Sequence, residues 1–199
     1  MIVFCFYKGK LSNKDVVVVK CGIGKVLSSS ITTLLITHFN VDRIINIGIC
    51  GGIVNKIHEK EFLLVEKASY SDVEGLTNNY GQIQDYPLYF ETDSTTNEII
   101  ASHYPEVVKG NILTGDKFVT NYEYVQDVMH KYQNHNFHGV DMESAAIAHI
   151  CYAYNVKVNI IRYISDVVGK EFQMDEYFAN KEDCSYVLIE MVNYLLSII

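Results

Sequence analysis

The sequence predicts an α/β domain of three layers, with a central sheet covered by helices on both faces. Two observations carry this expectation. Apolar runs rich in β-branched residues, such as "VVVVK", "RIINI" and "VNIIRYI", recur along the chain, and the stretches between them return apolar residues at helical spacing. Continuous runs, as opposed to strict alternation, belong to strands buried on both faces, so helices must lie above and below the sheet. With 199 residues, 49% hydrophobic content and two prolines, the chain is long enough for one domain, residues 1–199, around a sizeable core.

The elements follow in order. "MIVFCFY" and "DVVVVKC" read as two short strands joined by the turn-rich "KGKLSNK". Apolar residues at helical spacing predict a helix from Gly24 to Phe39, and "VDRIINIGICGGI" is a buried strand that runs into a glycine turn. "EFLLVEKASY" is another strand. The aromatic and polar "SDVEGLTNNYGQIQDYPLYFETD" after it is a loop long enough to suggest a function. A helix over Ser94–His103, a strand over Val107–Leu113, a helix over Tyr122–Tyr132 and the unit "HGVDMESAAIAHICYAYNVKVNIIRYISDVV" come next, before one closing helix from Met174 to Leu196.

Composition narrows the partners. A formal net charge of −8, with no basic run, excludes a nucleic-acid groove or an anionic membrane surface and leaves a small molecule. The cysteines Cys5, Cys21, Cys50, Cys151 and Cys184 give neither a CxxC pattern nor a disulfide framework, so most are small core residues in a reducing, cytoplasmic setting. The apolar start is too short for a signal peptide, and no window approaches the ~18 apolar residues of a membrane span. The seven histidines are scattered, with His138 expected in a turn and His149 on a helix face, so neither a metal nor a cofactor is expected.

In sheets of this kind, ligands bind beyond the carboxyl ends of the strands, which places "CGIG", "GICGG", "TGDKF" and "ISD" on one edge. "CGIGK" lacks the spacing of a phosphate loop, and a glycine between strand and helix often serves tight backbone geometry alone. The carboxylates raise a sharper question. Asp141 and Glu143 open an apolar helix, and Asp166 closes an apolar strand. Singly, Glu143 is explained by the positive end of a helix dipole and Asp166 by a turn cap, yet together at the ligand edge they are candidates for acid–base work.

The segments "VVVVKCGIGKV", "IINIGICGGI", "YGQI", "TGDKFV", "VDMESAAIAHICYAYNV" and "IIRYISDVV" stand in an order and at spacings that resemble the 5'-methylthioadenosine/S-adenosylhomocysteine nucleosidases, within the nucleoside phosphorylase/hydrolase superfamily. The resemblance runs from Phe4 onward and implies a three-layer αβα sandwich with a twisted mixed sheet. It implies that Asp166 assists protonation of adenine at N7, and that Glu143 holds ribose hydroxyls and stabilises positive charge at C1', with Met142 against the sugar. It places Phe118 on the adenine face and the Val119 backbone at the base edge. Arg162 falls near the ribose and the attacking water in the family, although a buried structural ion pair explains an arginine there equally well. Ile49 and Gly51 lie in the segment matching the family's "NTGSAGG", with Ile49 in place of its serine.

Phosphorylases of this fold hold phosphate with an arginine on the strand matching "IINIGICGG", where this sequence has Asn46; the resemblance is therefore to the branch that uses water. Family members carry a strand and an "AMEEE"-like segment ahead of the hairpin, one glutamate of which activates the water. The 199 residues contain no match to it, so the expected domain lacks the family's first strand. The resemblance implies hydrolysis of the N-glycosidic bond of an adenine nucleoside with a 5' thioether. A non-catalytic nucleoside-binding relative and a purine nucleoside phosphorylase remain as alternatives. It also implies a homodimer, with the aromatic stretch of residues 80 to 90 at the interface.

Overall fold

The computed structural model describes residues 5–76, 78–133, 136–181 and 185–199, except the side chains of 185–187. Strands β1 (Phe6–Leu11) and β2 (Lys14–Val19) form a separate antiparallel hairpin, in register from Phe6 opposite Val19 to Leu11 opposite Lys14. The connection is tighter than the sequence predicted. Ser12 and Asn13 alone make the turn, both at positive φ (49° and 62°), the backbone of a two-residue turn whose twist matches the strands. Lys8 to Leu11 therefore extend β1 instead of forming a loop.

The remaining elements are α1 (Lys25–Phe39), β3 (Arg43–Gly52), β4 (Phe62–Tyr70), β5 (Phe90–Glu91), α2 (Ser94–His103), β6 (Val108–Thr114), α3 (Tyr122–Tyr132), β7 (Phe137–Asp141), α4 (Ser144–Tyr154), β8 (Lys157–Val167), α5 (Gln173–Asn180) and α6 (Ser185–Ile198). The main sheet has the order β5-β4-β6-β7-β3-β8. It is mixed: β4, β6 and β7 run parallel, β3 and β8 run parallel to each other, and the two groups meet antiparallel at β3–β7. Twist curls it until β8 pairs back onto β4.

Burial follows the pleat. Leu63, Val65, Ile160 and Ile164 point to the face covered by α1 and α4, where they pack with Ile31, Leu35 and Ala145. Leu64, Ile161 and Tyr163, one residue out of step, face α2 and α6 through Ile100, Met191 and Leu195. Both faces being covered is why these strands read as continuous apolar runs. Of the cysteines, Cys50 and Cys151 are buried, Cys21 is half-buried and Cys5 exposed, while Cys184 lies outside the described residues.

Several expectations change. In place of the one closing helix expected from Met174 to Leu196, α5 ends at Asn180 and α6 starts at Ser185, with residues 182–184 of that stretch outside the described residues. At the end of α5, Asn180 is buried and donates from Nδ2 to the Ser165 carbonyl at 2.9 Å, which fixes that helix against β8. His138 sits inside β7, not in a turn. In the long loop Tyr80 and Tyr89 pack on Tyr132, and Tyr86 on His149, each half-buried against the core. Among the described residues no helix is long and apolar enough to cross a membrane.

Candidate active site

The carboxyl ends of β3, β7 and β8 converge, and glycine allows it. Gly51 lies opposite Val140 of β7 and, after a bulge between Cys50 and Gly51, opposite Asp166 of β8. A Cβ at Gly51 would stand 3.2 Å from methyls of Val140 and Val168 and 3.4 Å from Asp166 Oδ2. A cavity of about 1890 Å³ opens here, and Ile49, Gly51, Phe118, Val119, Met142, Glu143, Arg162 and Asp166 all line it. It exceeds the usual size of a small-molecule site, roughly 300–1,000 Å³, because it continues along β3. From Arg43 to Cys50 that strand pairs with β8 on one side and meets β7 only at its last two residues.

Asp166 is 2% exposed. Its Oδ1 accepts a hydrogen bond from Ser165 Oγ at 2.6 Å and its Oδ2 one from Gln173 Nε2 at 2.8 Å. Burial pushes its pKa up, the two hydrogen bonds pull it down, and the charge of Glu176 adds to the rise, with burial prevailing. A carboxyl group held protonated above its ordinary range can deliver a proton to a bound base.

The acidic pair of the sequence divides its labour. Asp141 is the structural member: its side chain is 1% exposed and accepts from Thr114 Oγ1 at 2.6 Å, from the amides of Glu143 and Ser144 at 3.3 and 3.2 Å, and from the Ser144 hydroxyl. It thus caps α4 in place of Glu143, which stands at the N-cap position without capping the helix. Glu143 instead reaches across to α1, where its Oε1 accepts the Gly24 amide at 2.8 Å. Burial, then the neighbouring Asp141 charge, raises its pKa.

Arg162 is 2% exposed and forms an ion pair with Asp141, with Nε and Nη2 each 3.0 Å from Oδ2. Nη2 also donates to Ser144 Oγ at 2.8 Å and to Asn46 Oδ1, and Nη1 to the Ile161 carbonyl at 3.3 Å. Its visible contacts are therefore those of a buried structural pair at the cavity wall. Asn46 belongs to that network as an acceptor, so an arginine in its place would set one guanidinium against another.

Phe118 is 43% exposed, lines the cavity and makes a T-shaped contact with Tyr177, ring centroids 5.2 Å apart. Val119 is buried, and its carbonyl accepts from Gln173 Nε2 at 2.9 Å. Met142 and Ile49 are half-buried. At "CGIGK", Gly24 takes a φ of 91° and a Cβ there would stand 3.0 Å from Asp116 Oδ1. The Gly24 and Lys25 amides at the start of α1 are taken by the carboxylates of Glu143 and Asp116, each at 2.8 Å. A helix start whose amides already hold two carboxylates is not a phosphate cradle.

Sequence reasoning did not single out Gln173, Ser165 or Asp116 as site residues. Ser165 was in view beside Asp166. Gln173 carries no local signal, since a polar residue at a helix start is ordinary until the fold turns it inward.

Comparison with known proteins agrees with this geometry. The family model described as the phosphorylase superfamily matches residues 3–193. A 5'-methylthioadenosine/S-adenosylhomocysteine nucleosidase of Bacillus thuringiensis (strain Al Hakam) is 34% identical over 173 residues, 83% of this chain and 74% of the relative. The MTA/SAH nucleosidase of Streptococcus pneumoniae, solved with 8-aminoadenine, superposes with a TM-score of 0.90 at 29% identity, covering 98% of this chain and 86% of the other. That of Neisseria meningitidis, solved with methylthio-immucillin-A, gives 0.90 at 27% identity, covering 98% and 87%. This chain belongs to the phosphorylase superfamily, within its 5'-methylthioadenosine/S-adenosylhomocysteine nucleosidase family.

Proposed function

We propose that the chain hydrolyses the N-glycosidic bond of 5'-methylthioadenosine and S-adenosylhomocysteine and releases adenine. The observation that carries this reading is the buried Asp166, whose pKa is raised, in one cavity with Glu143 and the exposed ring of Phe118. Phe118 stacks on the purine, and the Val119 backbone and Asp166 meet its edge. Asp166 gives its proton to N7, so that adenine leaves neutral. Glu143 accepts the ribose hydroxyls and faces the positive charge that develops at C1', with Met142 packed on the sugar. Arg162 acts through Asp141: their pair holds the β7–α4 corner that carries Met142 and Glu143. Water, not phosphate, is the acceptor, a reading supported by Asn46 and by the occupied amides of α1.

We further propose a cytoplasmic homodimer. Four described cysteines are free thiols, as a reducing compartment keeps them. Phe172, Met174 and Phe178 are exposed on and beside α5, the helix whose Tyr177 packs on Phe118, and a second copy is suited to cover them.

The pH dependence follows from the direction of the Asp166 shift. Activity needs its protonated form, so kcat/KM is expected to hold at low pH and to fall as pH rises through the raised pKa. A pH–rate profile checks this, and a limb at the ordinary aspartate value would remove Asp166 as the acid. The function itself is tested by chromatography of free adenine after incubation with 5'-methylthioadenosine in phosphate-free buffer. Adenine release is expected; its absence overturns the hydrolase.

A further inference from the structure

We infer that Gln173 is a positioning residue that sets Asp166 and the Val119 carbonyl at a fixed separation, so that both meet one purine edge together. This rests on the hydrolase reading and names a residue through which that site is built. The Gln173 side chain is 4% exposed at the first position of α5. Its Nε2 carries two hydrogens, and both are used on the site: one goes to the Val119 carbonyl at 2.9 Å, the other to Asp166 Oδ2 at 2.8 Å. Its Oε1 accepts the Gly169 amide at 3.0 Å, which ties the amide plane to the turn between β8 and α5.

A residue needed only to fill space requires none of these bonds. Here three parts of the chain, the segment after β6, the end of β8 and the turn at Gly169, are locked to one planar group. Only an amide can do so, because it offers two donors and an acceptor at once. A glutamate has at most one donor, and only when protonated; an asparagine is one methylene shorter. The Val119 carbonyl retains its second lone pair for a ligand. The Gln173 N–H also favours the ionised form of Asp166. Among the described residues, the other ionisable groups that bear on Asp166 are Glu176 of α5 and the Cys50 thiol of β3, and both remain when Gln173 is changed.

The test compares the wild type with Gln173→Met, which keeps the volume and removes both donors, and with Gln173→Glu. The readouts are kcat and KM for 5'-methylthioadenosine across pH, and the Kd of adenine by calorimetry. In Gln173→Met, kcat/KM is expected to fall about ten- to hundred-fold and adenine to bind about tenfold more weakly, the usual range for lost hydrogen bonds to charged or buried groups. The alkaline limb moves to higher pH, since the lost bond had favoured ionisation. In Gln173→Glu, activity returns as pH falls, because the protonated acid donates one bond back. Wild-type kinetics, an unmoved limb and unchanged adenine affinity in Gln173→Met overturn the inference and leave the hydrolase standing. If Gln173→Met does not fold, Gln173→Glu decides: a deficit relative to the wild type that narrows as pH falls supports the role, and a deficit that is the same at every pH overturns it. A wild type that releases no adenine removes the hydrolase. The inference is then judged on adenine affinity alone, where weaker binding in the variant supports it and equal or absent binding overturns it.

Discussion

Asp166→Asn is expected to lower kcat by about 10²–10⁴-fold, the usual contribution of a positioned general acid, while adenine still binds. The amide preserves shape, and its oxygen can still accept from Gln173 Nε2, which donates to Oδ2 in the wild type. It cannot lose a proton to N7. Adenine would then have to depart as an anion, which raises the barrier, whereas the contacts proposed for Phe118 and the Val119 backbone would remain. Steady-state kinetics with calorimetric titration of adenine separate the two effects. Unchanged turnover would show that the proton comes from elsewhere, and lost adenine affinity with lost folding would show a structural carboxylate.

Arg162→Ala is expected to destabilise the fold by about 3–5 kcal/mol, as removal of one partner of a buried ion pair does. Arg162 is the largest fully buried side chain among the described residues, and Asp141, 1% exposed, would lose its countercharge while the Asn46 and Ser144 acceptors lost a donor. Arg162→Lys restores charge without the planar fork and should recover only part of the loss. Adding Asp141→Asn to Arg162→Ala should also return part of it, since the orphaned charge is gone. Urea unfolding with an unchanged slope measures these differences. A loss under about 1 kcal/mol, the scale of an exposed pair, would contradict the view that this pair holds the β7–α4 corner.

The fold was legible where burial imposes a period. The helices over Ser94–His103 and Tyr122–Tyr132 have the predicted bounds, and of the runs read as buried on both faces "VNIIRYI" in β8 is buried throughout, whereas "RIINI" in β3 is largely half-buried with Ile47 exposed and "VVVVK" stands in the separate β1–β2 hairpin with Val18 exposed. Where the period is blind, the sequence misled. Apolar residues recur through both α5 and α6 and hide the end of α5 at Asn180, and a Ser-Asn turn lacks the glycine that would have marked it. Of the site, the residues with unusual chemistry at conspicuous places could be found: Asp166, Glu143 and Phe118 line one cavity. What could not be read was partnership. Nothing near Glu143 in sequence says that its carboxylate binds Gly24, 119 residues away, or that Asp141 and not Glu143 caps α4. Nor does a glutamine after a phenylalanine announce that it holds an aspartate seven residues back.

Nor could the sequence show the ring contacts of the long loop: Tyr80 and Tyr89 meet Tyr132 and Tyr86 meets His149, while all three tyrosines stay half-buried.

The central claim is hydrolysis by water in the cavity bounded by Asp166 and Glu143. Its most direct test is a phosphorus magnetic resonance spectrum of purified protein incubated with 5'-methylthioadenosine and inorganic phosphate, with adenine followed in parallel. Adenine is expected to accumulate while the inorganic phosphate signal stays constant and alone. A sugar 1-phosphate signal growing in step with adenine would contradict it, as would a mixture in which no adenine forms.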